Sequence, residues 1–358
     1  MKFEVFSDLK EVSIASLYDL DEASIKSLGE QLYKYGIVKI KHDIDSTLLN
    51  SFREVGFSLH KLPCQEKEKL TFCPYIGEYT NESRGYIAYE KLPESPIIDT
   101  DIETYVKHNM WVFSGGPLNL YPSEKLLPSA RSIIRTSLNE LRRTGNIIRD
   151  SLMIYFGDEQ RRLEQITAAQ FDQLHILSLE SHKGIDPNSS KLDKYFLRLP
   201  SHKDVYTLFK LLLSNPIGGL QIKPLTEERQ EAENWYTLEE DGEGLDYFFV
   251  FAGNYMPLLT GNTIKSIQHR VIGNQTQMQK DRLSIAYAYR LNIFEPWVNF
   301  ITGQMIEFEG KELSPGAWSH VLGKNPKATE EDLYLNLQQR WKGLKNLHSY
   351  VNTLESST

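Results

Sequence analysis

Cysteine is nearly absent from this chain: Cys64 and Cys73 are the only two among 358 residues. Two thiols without a CxxC spacing exclude a disulfide framework and a cysteine-based zinc site. Long hydrophobic runs are missing as well. No stretch reaches the ~18 apolar residues of a membrane span, and the opening MKFEVFSDLK carries no apolar signal core. Positive charge is in deficit, with 40 Lys and Arg against 48 Asp and Glu and a net charge of −8. The densest basic stretch, RSIIRTSLNELRRTGNIIR, spreads its arginines at helical spacing, as a solvated helix face does. The expectation is a cytoplasmic protein with no nucleic-acid partner and no membrane segment.

What is present is an ordinary globular composition, 40% hydrophobic and 25% charged, in a chain long enough to bury a large core. DEASIKSLGEQLYKYG predicts a helix capped by Asp21 and ended by Gly36, with Ile25, Leu28, Leu32 and Tyr35 on one face. IVKIKH predicts a strand, and Ser46 to Leu59 a second helix. The longest helical pattern runs from Ser123 to Phe156, with Gly145 as its weak point. From Phe171 onward the texture changes to short apolar runs: LHILSLE, YFLRLP, TLFKLLL, GGLQIKPL, YFFVFAG and LSIAYAYRL. Loops rich in Gly, Asn, Asp and Pro separate them, the pattern of a sandwich, jelly roll or barrel. ATEEDLYLNLQQRWKGLKNLHSYVNTL predicts a closing helix. The expected plan is α+β with a mainly β core. A helix-rich region, 1–170, packs on a core at 171–296, and a helical extension completes the chain at 297–358.

SHKDVY, Ser201 to Tyr206, carries the first chemical signal. Residues two apart on a strand share a face, so His202 and Asp204 project together and Lys203 turns away. An imidazole and a carboxylate side by side supply two ligands of the 2-His-1-carboxylate facial triad that holds Fe(II) and leaves three positions open. The earlier tripeptide in LESHKGID lacks the partner, because Gly184 stands where the carboxylate is needed. His269, in IKSIQHRVIG, is the candidate third ligand. Farther on, Arg282 and Ser284 share one strand face. A guanidinium fork and a hydroxyl suit the far carboxylate of a dicarboxylic co-substrate whose other end chelates the metal. Taken singly, each of these residues also has a bland reading as surface or core; together and in this order they carry the signal.

With those residues in view, the chain resembles the isopenicillin N synthase-like 2-oxoglutarate/Fe(II) oxygenases. HKDVYTLFKLLLSNPIGGLQI matches their His-x-Asp, Thr-x-Leu and Gly-Gly-Leu-Gln run. The stretch from ENWYTLEEDGEG to KSIQHRV, and DRLSIAYAYRLN, match the next segments of that family in order. YGIVKI, LPCQEKEKL, RGYIAYE and the DIETYV stretch around Glu103 extend the resemblance from about Val12 to Pro296. It implies a double-stranded β-helix (jelly roll) flanked by helices. His202, Asp204 and His269 would bind iron, and Arg282 and Ser284 would bind 2-oxoglutarate. Glu180 and His182 fall where the family has Asn-x-Tyr beside the co-substrate, so His182 is carried as a residue on that side. Asn254 replaces a common aspartate, and GNQTQMQK lengthens the spacing from His269 to Arg282.

The implied activity is an Fe(II)/2-oxoglutarate-dependent dioxygenase that uses O2 to hydroxylate, desaturate or cyclise a small molecule, with succinate and CO2 as co-products. Two alternatives stand beside it: an iron oxidase of isopenicillin N synthase type without 2-oxoglutarate, and a non-catalytic binding protein of the same fold. Tyr79, Arg84, Tyr86 and Tyr89 are expected to approach the substrate. Tyr206, Leu220 and Tyr287 line either the pocket or the core, and Gly218 and Gly219 form a tight turn.

Overall fold

Asp21 and Asp45 open the first two long helices by accepting the backbone N–H three residues on, from Ser24 at 2.8 Å and Leu48 at 3.0 Å. The computed structural model describes residues 3–72, 84–89, 102–104, 108–115, 119–181, 195–204, 207–228, 230–239, 242, 244–292, 298–305, 307–308 and 311–312. Among these, the helices are α1 (Ile14–Tyr18), α2 (Glu22–Tyr35), α3 (Ser46–Lys61), α4 (Cys64–Glu68) and α5 (Ala130–Phe156), with shorter turns later. Gly36 ends α2 in the left-handed region, φ 73°, as a C-cap should. The predicted closing helix lies outside the described residues.

Helix α5 starts at Ala130, seven residues later than its apolar period suggests. Pro128 disfavours a helical residue before it, and Ser129 takes φ 60°, so the chain cannot enter the helix earlier. Gly145 is a point of close approach rather than a weakness. A Cβ there would lie 2.6 Å from the ring of Tyr289, which itself stacks on Phe209 at 4.7 Å.

The strands are β1 (Glu11–Ser13), β2 (Ile37–Lys41), β3 (Thr71–Phe72), β4 (Arg84–Tyr89), β5 (Ile102–Thr104), β6 (His108–Ser114), β7 (Gln173–Leu179), β8 (Tyr195–His202), β9 (Phe209–Leu213), β10 (Leu220–Ile222), β11 (Tyr236–Thr237), β12 (Tyr247–Ala252), β13 (His269–Asn274) and β14 (Arg282–Tyr289). They build one sheet in the order β1-β2-β12-β9-β14-β7-β6-β4-β3 and another in the order β11-β10-β13-β8-β5. From β7 onward the chain alternates between them: β7, β9, β12 and β14 lie in the large sheet, and β8, β10, β11 and β13 in the small one. Antiparallel strands that cross between two facing sheets in this way make a double-stranded β-helix, or jelly roll. Residues before 171 contribute β1 to β6, so that part of the chain extends the sheets as well as covering them.

Strand alternation sorts the side chains into two cores. Phe209, Leu211 and Leu213 join the cluster beneath the helices, with Leu138, Ile148, Phe52 and Tyr287. Leu212, Ala286, Leu220, Val271 and Phe251 form a second cluster between the sheets. Tyr287 therefore belongs to the helix-side core. Its hydroxyl donates to Asp172 Oδ2 at 2.6 Å, and the Arg290 backbone N–H donates to Oδ1 at 2.8 Å.

Burial lifts the Asp172 carboxyl to about 7, against the opposing pull of Tyr287, Arg290 and Arg142. The folded protein then holds a proton that the unfolded chain has released above 3.8. This group's contribution to stability is full at low pH and declines as pH rises between those values, by about 1.4 kcal/mol per unit. Denaturant unfolding of wild type and Asp172→Asn between roughly pH 5 and pH 7 should show that slope only in wild type. Parallel curves would refute it.

Candidate metal centre

His202 is the last residue of β8, Asp204 lies two residues beyond it, and His269 opens β13, where the antiparallel register sets it opposite His202. Two histidines on adjacent strand ends, with a carboxylate just past one of them, bring three donors to one mouth between the sheets. Their ligating atoms all lie within 4.8 Å of one another. His202 Nε2 is 3.8 Å from Asp204 Oδ1, and His269 Nε2 is 3.7 Å from Asp204 Oδ2. Phe251 covers His269, with ring centroids 4.5 Å apart. The backbone holds the carboxylate's segment in place: Asn254 N–H donates to the Asp204 carbonyl at 2.9 Å and Tyr255 N–H to the Thr207 carbonyl at 3.1 Å.

Protonation suits a cation. Burial pushes the His269 imidazole down to about 3 and lowers His202 in the same sense, so both rings are neutral with a lone pair to offer. The His202 Nδ1 site bonds the Pro200 carbonyl at 2.9 Å, the tautomer that leaves Nε2 to face the other ligands. Burial alone would raise the Asp204 carboxyl, but the Lys210 ammonium holds it below the usual carboxylate range. Lys210, inward on β9, donates to Asp204 Oδ1 at 2.6 Å. Asp204 Oδ2 is buried with no hydrogen-bond partner. A buried anionic oxygen left bare beside two neutral imidazoles is the donor set that a divalent cation completes.

Arg282 and Ser284 lie at the start of β14, buried to 1% and 5% exposure. Arg282 Nη1 donates to Ser284 Oγ, its Nε to the Gly218 carbonyl at 2.9 Å, and its Nη2 to Glu239 Oε2 at 2.8 Å. Gly218 and Gly219 take φ of 70° and 91°, the expected tight turn. A Cβ on Gly219 would lie 2.1 Å from the Ile272 carbonyl. Gly218 is four residues from Ile222, which pairs with His269, so at most about 14 Å of chain separates Gly218 from the strand partner of His269.

The remaining candidates divide. Lys203 pairs with Glu231 at 2.5 Å, away from the ligands. Tyr86 is buried, and its hydroxyl donates to Asn109, whose amide donates to Glu180 at 2.9 Å. His182, Tyr79 and Tyr206 lie outside the described residues, as do the side chains of Arg84, Tyr89 and Glu103. Leu220 lies in the apolar cluster between the sheets. The longer His269–Arg282 connection is absorbed by a short helix, Gln275–Met278, closed by a capping box between Asn274 and Gln277.

Three charged residues of this interior, Lys210, Glu239 and Arg198, belong to no motif in the sequence. Arg198, 2% exposed, donates to the carbonyls of Gln277, Leu179, Glu180 and Lys280. The available signal for the two cations is a charge at an inward position of an apolar strand, as in FKLLL and FLRLP.

Residues 173–291 match the family model described as the 2OG-Fe(II) oxygenase superfamily. Flavanone 3-dioxygenase 2 of Oryza sativa subsp. japonica is 24% identical over 293 residues, 79% of this chain and 74% of that protein. The crystal structure of a full-length Neurospora crassa protein in complex with alpha-KG and thymine aligns with TM-score 0.68 at 18% identity, over 88% of this chain and 97% of that one. JOX2 in complex with 2OG, Fe and JA aligns with TM-score 0.61 at 17% identity, over 93% and 91%. These two structures share the fold.

Proposed function

We propose that this chain, whose residues 173–291 match the 2OG-Fe(II) oxygenase superfamily, is a 2-oxoglutarate-dependent dioxygenase in which His202, Asp204 and His269 hold the iron while Arg282 and Ser284 receive the far carboxylate of 2-oxoglutarate. The observation that carries this assignment is the convergence of three deprotonated donors around the bare Oδ2 of Asp204. When bound, iron with 2-oxoglutarate and O2 supplies the oxidising power for attack on an unactivated C–H bond, with succinate and CO2 as co-products.

The protein's own part is positioning and exclusion of water. Pro200 fixes the His202 ring, and Lys210 occupies one oxygen of Asp204, leaving the other free to hold the metal. Leu212, Ala286, Val271 and Phe251 wall the space between the sheets. The Gly218 carbonyl that Arg282 bonds lies on the run that leads into Ile222, the strand partner of His269, and this continuity of chain supports placing the far carboxylate at Arg282. Family branch, substrate and setting are part of the proposal: an isopenicillin N synthase-like enzyme acting on a small organic molecule in the cytoplasm. The flavanone named for one relative and the thymine held by another are molecules of that size. A net charge of −8 disfavours a nucleic-acid surface. Among the described residues no helix is long and apolar enough to cross a membrane.

Anaerobic titration of the Fe(II)-loaded protein with 2-oxoglutarate tests the assignment. The visible metal-to-ligand charge-transfer band of the chelate should grow in wild type and be absent from His202→Ala. His202 keeps 37% of its side chain exposed, so its loss should leave the fold intact. An unchanged band in the variant would remove His202 from the metal.

A further inference from the structure

Arg282 is not a bare cation awaiting a ligand. It is buried to 1% exposure, and its partner Glu239, just beyond β11, is equally buried. Their side chains meet at 2.8 Å through Nη2 and Oε2. A guanidinium carries five N–H donors. Three are used, on the Gly218 carbonyl, Ser284 Oγ and Glu239 Oε2, which leaves two for an incoming carboxylate. That carboxylate therefore arrives at a cation already neutralised, with a second carboxylate at its side.

We propose that Glu239 is the resident counter-ion of Arg282 and sets the affinity of the co-substrate subsite, holding 2-oxoglutarate binding weaker than the guanidinium alone would make it. The proposal rests on the assignment of Arg282 to the far carboxylate of 2-oxoglutarate. Its physical basis is a trade between two states. Without co-substrate, Glu239 removes the cost of a lone buried cation. With co-substrate bound, two carboxylates share one guanidinium in a site shielded from water, where like charges repel strongly. Occupancy of the enzyme then tracks the concentration of 2-oxoglutarate over a higher range than an unpaired arginine would allow.

Charge and orientation are separable here. Glu239→Gln keeps an oxygen that accepts from Arg282 and removes the negative charge. It is expected to lower the 2-oxoglutarate Kd about tenfold in the anaerobic Fe(II) titration. It should leave 2-oxopentanoate, the same keto acid with a methyl in place of the far carboxylate, unchanged. A Kd that stays the same or rises would overturn the proposal and make Glu239 a strut that orients Arg282. Arg282→Gln separates this from the underlying assignment. If it binds 2-oxoglutarate as wild type does, the far carboxylate is elsewhere, and the proposal falls with the assignment.

Wild type provides a measurement that needs no variant to fold. A site whose buried polar group is left unpaired by the wrong ligand discriminates by about 10⁴-fold. With Glu239 in place Arg282 is never unpaired, so 2-oxopentanoate should bind less than about a thousandfold more weakly than 2-oxoglutarate. A larger ratio would show that Arg282 meets the ligand uncompensated and would refute the counter-ion role.

Discussion

Asp204→Ala is expected to abolish metal binding, with a loss of at least about a thousandfold in affinity, or ~4 kcal/mol. Asp204 is the one anion among the three donors, and two neutral imidazoles that remain hold a divalent cation weakly. The same substitution strands Lys210, whose ammonium sits 2.6 Å from the lost carboxylate with 16% of its side chain exposed. Removing one partner of a buried pair costs about 3–5 kcal/mol. The ammonium here retains a route toward solvent, which reduces the cost to about 1–3 kcal/mol. The double variant Asp204→Ala/Lys210→Met should regain most of that stability and none of the metal affinity. Cobalt(II) titration followed by visible absorbance reads the first effect, and urea unfolding of the metal-free proteins reads the second. Wild-type cobalt affinity in Asp204→Ala would place the metal elsewhere.

Arg282→Met is expected to do two separable things. Glu239 and Arg282 are both essentially without solvent contact, so the substitution leaves a buried carboxylate without its cation and should cost about 3–5 kcal/mol. It also removes the fork that we propose for the far carboxylate of 2-oxoglutarate. Chelation then depends on the metal end alone, and the charge-transfer band should require far more co-substrate to form. Arg282→Met/Glu239→Leu replaces the pair with apolar side chains, which is often neutral for stability when volume is kept. The double variant should therefore unfold near wild type and still fail to bind 2-oxoglutarate tightly. If it recovers both properties, Arg282 serves the fold and not the co-substrate. Urea unfolding and the anaerobic titration together decide between these results.

Much of this site is legible in the sequence. His202 and Asp204 share a face because strand side chains alternate, and the backbone requires that whatever else the chain does. Arg282 and Ser284 obey the same rule. The capped helices are equally local: Asp21 and Gly36 bound one, and their roles depend on neighbours within a few residues. The start of α5 is not legible in the same way, because the apolar period continues through Pro128 and Ser129, where the backbone does not. β4 and β6 carry no local mark either, since a strand takes its pairing from partners far along the chain. For β6 that partner is β7, with Trp111 opposite Ile176.

The charges inside the barrel are the least legible. A lysine in FKLLL reads as an exposed break in an apolar strand until folding turns it toward Asp204. Glu239 lies 43 positions before Arg282 in the chain, and nothing in either neighbourhood announces the other.

The sequence by itself determined the periodicities, the caps, the turn glycines and the candidate donors, because these depend on side-chain chemistry and on backbone geometry over a few residues. Only the tertiary structure decided that His269 stands across from His202, that Lys210 takes one oxygen of Asp204 and leaves the other bare, and that Glu239 neutralises Arg282. The reason is that burial and charge pairing are properties of a folded interior. A charge costs little in water, and its value changes only when distant strands close around it and make its neighbours its solvent.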